Sequence, residues 1–325
     1  MQKLGMTTTI PVEVVYAAGM TPVDLNNIFI THENPRSLVE EAEVAGYPRN
    51  LCAWIKGLYA TTLQNQDIRT IVAVTQGDCS NTHALMETLE MEGVKVIPFA
   101  FPFDRDTDLL KLQMEKLMDA LGTGWDEVYR TKERLDDVRR RVHEIDRLTW
   151  QGDKVSGWDN HFFQVSCSDF EGDPGQFAKR TDAYLAELPH KDPLKAAVRL
   201  AYIGVPPIVD DLYDYLEERN ARVVFNEVQR QFTMPFALKD MVDQYRTYSY
   251  PYGIFYRLED ISRELERRQV DGVIHYAQSF CYRQIEDLIV RKKLKYPILT
   301  LEGDKPSKLD ARTRMRLDAF LDMLR

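Results

Sequence analysis

The chain has 325 residues, 44% hydrophobic and 29% charged, with a formal net charge of −9. That length predicts two lobes rather than one small core. The acidic balance argues against nucleic acid as a partner, since no basic excess exists to neutralise phosphates. No run approaches the ~20 apolar residues of a membrane span. The N-terminus, MQKLGMTTTIPVEVVYAAGM, lacks a long apolar stretch ending in a small-residue cleavage site. Four cysteines are too few for a disulfide scaffold, so the expectation is a cytoplasmic chain whose cysteines are free thiols or metal ligands.

Residues 11–30 read as a helix broken at Gly19-Met20-Thr21-Pro22 and followed by a short strand. Residues 37–46 make a short amphipathic helix stopped by Gly46. Pro48 then disfavours helix before it, which places Cys52 at the entrance of a new helix over 53–64. A helix N-terminus favours a thiolate there. Residues 71–75 are a continuous apolar run, as in a strand covered on both faces. Cys79 follows it, then a helix over 83–92 and a strand over 94–98. This is a βαβ unit with a cysteine in its turn.

Residues 106–148 read as helical, with Val128, Leu135, Val138, Val142, Ile145 and Leu148 forming an apolar stripe. Arg139-Arg140-Arg141 reads as a solvated face within that helix. Residues 149–175 are rich in Gly and turn residues and serve as the natural inter-lobe region. A helix over 176–188 follows. The second lobe is expected to run strand 198–203, helix 208–219, strand 222–225, a loop-rich segment to about 258, helix 258–268, strand 270–276, Cys281, helix 282–293, strand 296–301 and a terminal helix over 309–325. The predicted architecture is α/β, with two Rossmann-like lobes on parallel sheets. The domains are 1–105, carrying Cys52 and Cys79; a helical bridging region, 106–192; and 193–325, carrying Cys281.

TIVAVTQGDC and VDGVIHYAQSFC are versions of one device: strand, short polar loop, cysteine, then a helix and a strand with a proline (Pro98 and Pro297). Open α/β sheets place ligands at the carboxyl ends of their strands. Two such lobes face to face bring Cys79 and Cys281 into the cleft, where Cys52 can join them. A lone free cysteine is commonly a small buried hydrophobe, which is the reading for Cys167 in QVSCSDF. Three thiolates suit zinc or an iron–sulfur cluster. No close CxxC pair occurs, and ligands spread this widely point to the larger cofactor. No GxxxxGK[ST] loop and no GxGxxG follows a strand, so no nucleotide is expected to bind this chain.

EVVYAAGMTPVDL, GYPRNLCAWIKGL, GDCSNTHALMETLEMEGVKVIPFAFP, VDGVIHYAQSFCYRQIEDLIVRKKLKYPILTLEGD and ARTRMRLDAFLDML resemble the 2-hydroxyacyl-CoA dehydratase / benzoyl-CoA reductase subunit family, which includes double-cubane cluster proteins. The resemblance implies a [4Fe–4S]-type cluster, in some members a double cubane, on Cys52, Cys79 and Cys281 in the inter-lobe cleft. It also implies a homologous subunit, as homodimer or heterodimer, an ATP-hydrolysing activator as electron donor, and an acyl-CoA substrate. The implied reaction is a one-electron activation of a 2-hydroxyacyl-CoA to a ketyl radical, followed by loss of water. Two other readings stay open: a low-potential reductase of small substrates, and a non-catalytic subunit that holds or scaffolds a cluster beside an active homologue.

Gln76, Asp78, Ser80, Asn81, Gln278 and Ser279 flank the cysteines and could tune a cluster by hydrogen bonding. Ser80 and Asn81 could equally cap the following helix. His83, His275, Glu302 and Asp304 are candidate proton-transfer groups, with Ser80, His275 and Glu302 the catalytic choices. His275 has the alternative of a satisfied core histidine.

Overall fold

A computed structural model describes residues 2–194 and 196–325. The first lobe runs β1 (Lys3–Met6), α1 (Val12–Ala17), β2 (Thr21–Asp24), α2 (Leu25–Thr31), α3 (Pro35–Val44), α4 (Ala53–Gln64), β3 (Thr70–Gln76), α5 (Thr82–Met91) and β4 (Lys95–Ala100). Four helices follow: α6 (Thr107–Leu121), α7 (Trp125–Trp150), α8 (Gly157–Ser166) and α9 (Pro174–Glu187). The second lobe opens with β5 (Val198–Gly204), α10 (Leu212–Glu217), β6 (Ala221–Asn226), α11 (Glu227–Gln231) and α12 (Met241–Thr247). It ends with α13 (Ile254–Arg267), β7 (Gly272–Gln278), α14 (Asp287–Lys293), β8 (Ile298–Gly303) and α15 (Ala311–Leu324).

Both sheets are four-stranded and fully parallel, ordered β2-β1-β3-β4 and β6-β5-β7-β8. The two lobes therefore repeat one Rossmann-like wiring, and β3 and β7 occupy equivalent places beside the switch in strand order. The prolines obey that wiring. Pro22 lies in β2 and Pro98 in β4, both edge strands, where a missing N–H costs no ladder bond. Among the described residues no helix is long and apolar enough to cross a membrane.

One face of the first sheet (Leu4, Met6, Val72, Val74) packs on α1, α6 and the α7 stripe of Val128, Leu135, Val142 and Ile145. Aromatic residues after α11, including Tyr245, Tyr248 and Tyr250, reach back into that same core. The lobes also share apolar surface through Phe29, Leu38, Ala53 and Ala60, which pack with Leu200, Tyr202 and Ile274. At ~25 cal/mol per Å² of apolar surface removed from water, such shared burial is the main force joining them.

Several sequence expectations are corrected. The segment after Pro22 is strand only to Asp24. Asp24 then caps a helix, its carboxylate accepting from Asn26 N at 3.0 Å. The turn-rich stretch 149–175 holds α8, capped by Ser156 accepting from the amide of Asp159. The loop-rich stretch before 258 holds α11 and α12, and α13 already begins at Ile254. Helix 208–219 shortens to Leu212–Glu217, and 282–293 splits into a tight 3-10 turn, Tyr282–Glu286, and α14. Arg139 is buried rather than solvated. Its Nη1 donates to Glu13 Oε1 at 2.7 Å, while Arg140 stays outside with Asp137.

Candidate functional site

β3 and β7 each leave the sheet through a left-handed residue just ahead of a cysteine. After β3 that residue is Gly77, at φ +99°, where a Cβ would stand 2.7 Å from Pro251 Cβ and 2.9 Å from Phe101 Cβ. Only glycine fits both the angle and the space. Asp78 and Cys79 follow, and Cys79 O accepts from Thr82 N at 3.0 Å as α5 begins. After β7, Ser279 N still donates to Gly303 O at 2.7 Å, Phe280 turns at φ +62°, and Cys281 N donates to Gln278 O at 3.1 Å. A left-handed phenylalanine costs on the order of 1–2 kcal/mol, strain placed directly beside the thiol. Cys52 is the N-cap residue of α4.

These three elements, from both lobes, put Cys52, Cys79 and Cys281 on the wall of one cavity of about 550 Å³. The cavity sits at the carboxyl ends of the strands, with Thr7 and Thr8 from beyond β1, Asp24 from β2 and Gln278 from β7 beside the thiols. Among the described residues no three His, Cys, Asp or Glu side chains converge closely enough to hold a single metal ion. Burial pushes the Cys52 thiol up to about 12, and the neighbouring Cys281 and Cys79 add to the shift. Burial likewise raises Cys79 to about 11 and lifts Cys281. The helix entrance at Cys52 therefore does not yield a thiolate by itself, contrary to expectation: desolvation outweighs the amides of Trp54 and Ile55. A cationic metal would reverse that balance, because a coordinated thiol is deprotonated outright.

The surroundings hold this wall in place. Tyr250 donates its hydroxyl to Asp78 Oδ1 at 3.1 Å, and Arg283 donates to Tyr250 O at 2.8 Å while lying over its ring. Asp78 is pushed up to about 6, by burial first and against the pull of Arg283. Gln278 spends both ends of its amide, accepting from Tyr276 at 2.9 Å and donating to Asp304 O at 2.8 Å. The Tyr276 hydroxyl lies where a Cβ on Gly303 would be, at 1.9 Å, so glycine there admits the tyrosine.

Other expected residues fall elsewhere. Ser80 and Glu302 are exposed and outside the cavity wall. His275 is buried on β7, its Nδ1 2.7 Å from Asp287 Oδ1, and is also absent from the wall. His83 is exposed, with Nε2 3.0 Å from Thr75 O. Asn81 is the N-cap residue of α5 but makes no side-chain cap, so the capping alternative does not hold for it. Gln76 and Asp304 are exposed, and Ser279 is half-buried. Cys167 lies in the main apolar core and is not on the cavity wall.

Three groups escaped sequence reasoning. Asp24 is buried on the wall, and its backbone N–H donates to Asp169 Oδ2 at 2.8 Å. Burial raises both carboxyls, Asp169 to about 7 with Asp24 as the second cause. His161 also faces the cavity, stacked beneath Trp158 with ring centroids 5.2 Å apart. Its Nδ1 stands 3.1 Å from both Tyr213 Oη and Gln229 Nε2, and burial pushes it down to about 3, so the imidazole is neutral. The pattern strand–Asp–Leu–Asn–Asn signals a cap at Asp24; nothing in the sequence signals His161.

A family model described as 2-hydroxyglutaryl-CoA dehydratase, D-component, matches residues 7–324. The chain belongs to that family. Comparison with curated proteins returns no match. Membership makes the chain a component of the 2-hydroxyacyl-CoA dehydratase type.

Proposed function

We propose that this dehydratase-family chain is the iron–sulfur subunit of an enzyme that eliminates water from a 2-hydroxyacyl-CoA, with a [4Fe–4S] cluster held by Cys52, Cys79 and Cys281. The observation that carries the reading is the meeting of these three thiols, from three elements and both lobes, on one cavity at the carboxyl ends of the strands. A cofactor that offers a separate metal atom to each sulfur suits three thiols that reach one wall from three elements. When bound, such a cluster supplies a low-potential electron and an open iron with Lewis-acid character.

The chain's own residues bind and orient. Gly77 and Phe280 set the direction of two ligands, and the Tyr276–Gln278 pair locks the end of β7 just before Cys281. The apolar side chains of Ile55, Leu58 and Phe232 keep the cavity dry around the reacting carbons. The D-component description fits a multi-component enzyme, and a homologous subunit with an ATP-hydrolysing electron donor completes the proposal.

Anaerobic purification with iron and sulfide analysis tests it. About four irons per chain are expected, whereas about eight would favour the double-cubane reductase and none would sink the redox reading. Cys52→Ala, Cys79→Ala and Cys281→Ala are each expected to lose the iron, and Cys167→Ala to keep it.

A further inference from the structure

The charges of the cavity sort the two ends of a thioester. Its fixed cations, Arg36 and Lys308, are both exposed at the rim, and Arg36 is already engaged by Glu40 at 3.3 Å. Inside, the described strand ends offer neutral and acidic groups, Asp24 and Asp78 among them. Asp24 is 5% exposed, and its carboxylate accepts from Asn26 N at 3.0 Å and Asn26 Nδ2 at 2.9 Å, with no ion pair to it among the described residues. Asp169 stands directly behind it, its carboxylate accepting from Asp24 N, also buried and also without an ion pair among the described residues. His161, the inner imidazole, is neutral. Apolar side chains, Ile30, Leu58, Val165, Ile208 and Phe232, line the wall beside the neutral Thr7, Thr8 and Gln278.

We infer that this cavity selects a 2-hydroxyacyl group with an uncharged, hydrocarbon side chain, and that Asp24 is the residue that rejects a second carboxylate. The inference rests on the dehydratase reading above and departs from the substrate in the family's description, since a 2-hydroxyglutaryl group carries a distal carboxylate. Placed inside, that carboxylate would lose its water, find no cation among the described inner-wall residues, since Arg283 stands behind the wall held by Tyr250 O and Glu286, and meet Asp24 with Asp169 behind it. Truncated charge pairing of this kind is how a site discriminates by repulsion. The polyanionic coenzyme end stays at the rim, where Arg36 and Lys308 stand.

Anaerobically purified protein is titrated calorimetrically with three ligands: 2-hydroxyglutaryl-CoA, 2-hydroxy-5-methylhexanoyl-CoA, in which an isopropyl group replaces the distal carboxylate, and coenzyme A. The uncharged thioester is expected to bind at least about tenfold more tightly than the dicarboxylic one, a difference of about 1.4 kcal/mol. Asp24→Asn, which keeps an oxygen for the Asn26 amide, is expected to narrow that ratio several-fold by improving the dicarboxylic ligand alone. Equal or tighter binding of the dicarboxylic thioester overturns the inference and leaves the dehydratase reading standing. So does a ratio unchanged by Asp24→Asn, or coenzyme A binding as tightly as either thioester. If no coenzyme A derivative binds, the dehydratase reading itself fails, and the inference with it.

Discussion

At the scale of single residues, a fully buried charge pair lies outside the cavity wall. Glu13 is fully buried and accepts from Arg139 at 2.7 Å, Tyr245 at 2.6 Å and Gln244 at 2.9 Å. Burial alone would raise its carboxyl, but Arg139 and the Tyr245 hydroxyl together hold it below the usual range. A carboxyl whose folded value is depressed contributes stability above its unfolded value, about 4.3, and loses it as pH falls through the folded value. Arg139→Met leaves an uncompensated buried charge and is expected to cost about 3–5 kcal/mol in urea unfolding. Burial then dominates Glu13, so the acid transition of the variant is expected to move to higher pH. A double variant, Glu13→Gln with Arg139→Met, is expected to recover much of the loss. Recovery of none would assign the cost to packing instead. The burial of Arg139 was legible after all: it stands four residues after Leu135 and three before Val142, on the same helical stripe. The run of three arginines masked a position that periodicity marks as inward.

At the scale of elements, the strand-to-cysteine exits decide whether the site exists. The β3 and β7 units are legible because each combines a β-branched run, a polar loop and a cysteine. β1 is not, since four residues paired on both sides need neither alternation nor length. α11 is hidden for a different reason. Its Glu227, Gln229, Arg230 and Gln231 look like a surface, yet they are buried because Arg257 and Asp260 of α13 pair with them, Arg257 Nε on Glu227 at 2.7 Å and Arg230 on Asp260 at 2.7 Å. Composition reports polarity, while burial depends on partners far along the chain. The exit at Gly77 yields a sharp expectation. Gly77→Ala must place a methyl group against Pro251 and Phe101 at a left-handed angle, so the loop carrying Cys79 shifts. Iron content is expected to fall by half or more, while the unfolding free energy of the iron-free protein drops by only the ~1–3 kcal/mol of a strained turn. A variant that retains full iron would show that Gly77 does not aim the thiol.

At the scale of the whole molecule, the lobes are joined twice, and the two joints have different strengths. The first is permanent. α7 is tied to the first lobe through Arg139 and Glu13 and to the second through Asp146, which accepts from Arg268 Nη2 at 2.6 Å, while Phe29 and Leu38 pack on Tyr202. The second joint is conditional, because the cavity draws Cys52 and Cys79 from one lobe and Cys281 from the other. A cofactor ligated across that boundary binds the folded chain and not the unfolded one, and therefore stabilises it by mass action. The permanent joint implies that iron-free protein still unfolds in one cooperative transition. The conditional joint implies that loaded protein melts higher, by about 1.5 °C for each kcal/mol of linkage in a chain of this size. Differential scanning calorimetry under strict exclusion of oxygen, before and after iron removal by a chelator, reads both. Protease nicking is expected to rise on iron removal at the exits around Gly77 and Phe280 and to leave α7 intact. In Cys281→Ala the midpoint is expected to equal that of stripped wild type and to ignore the chelator. If loaded and stripped wild type melt together, the cysteines do not clamp the lobes through a shared cofactor.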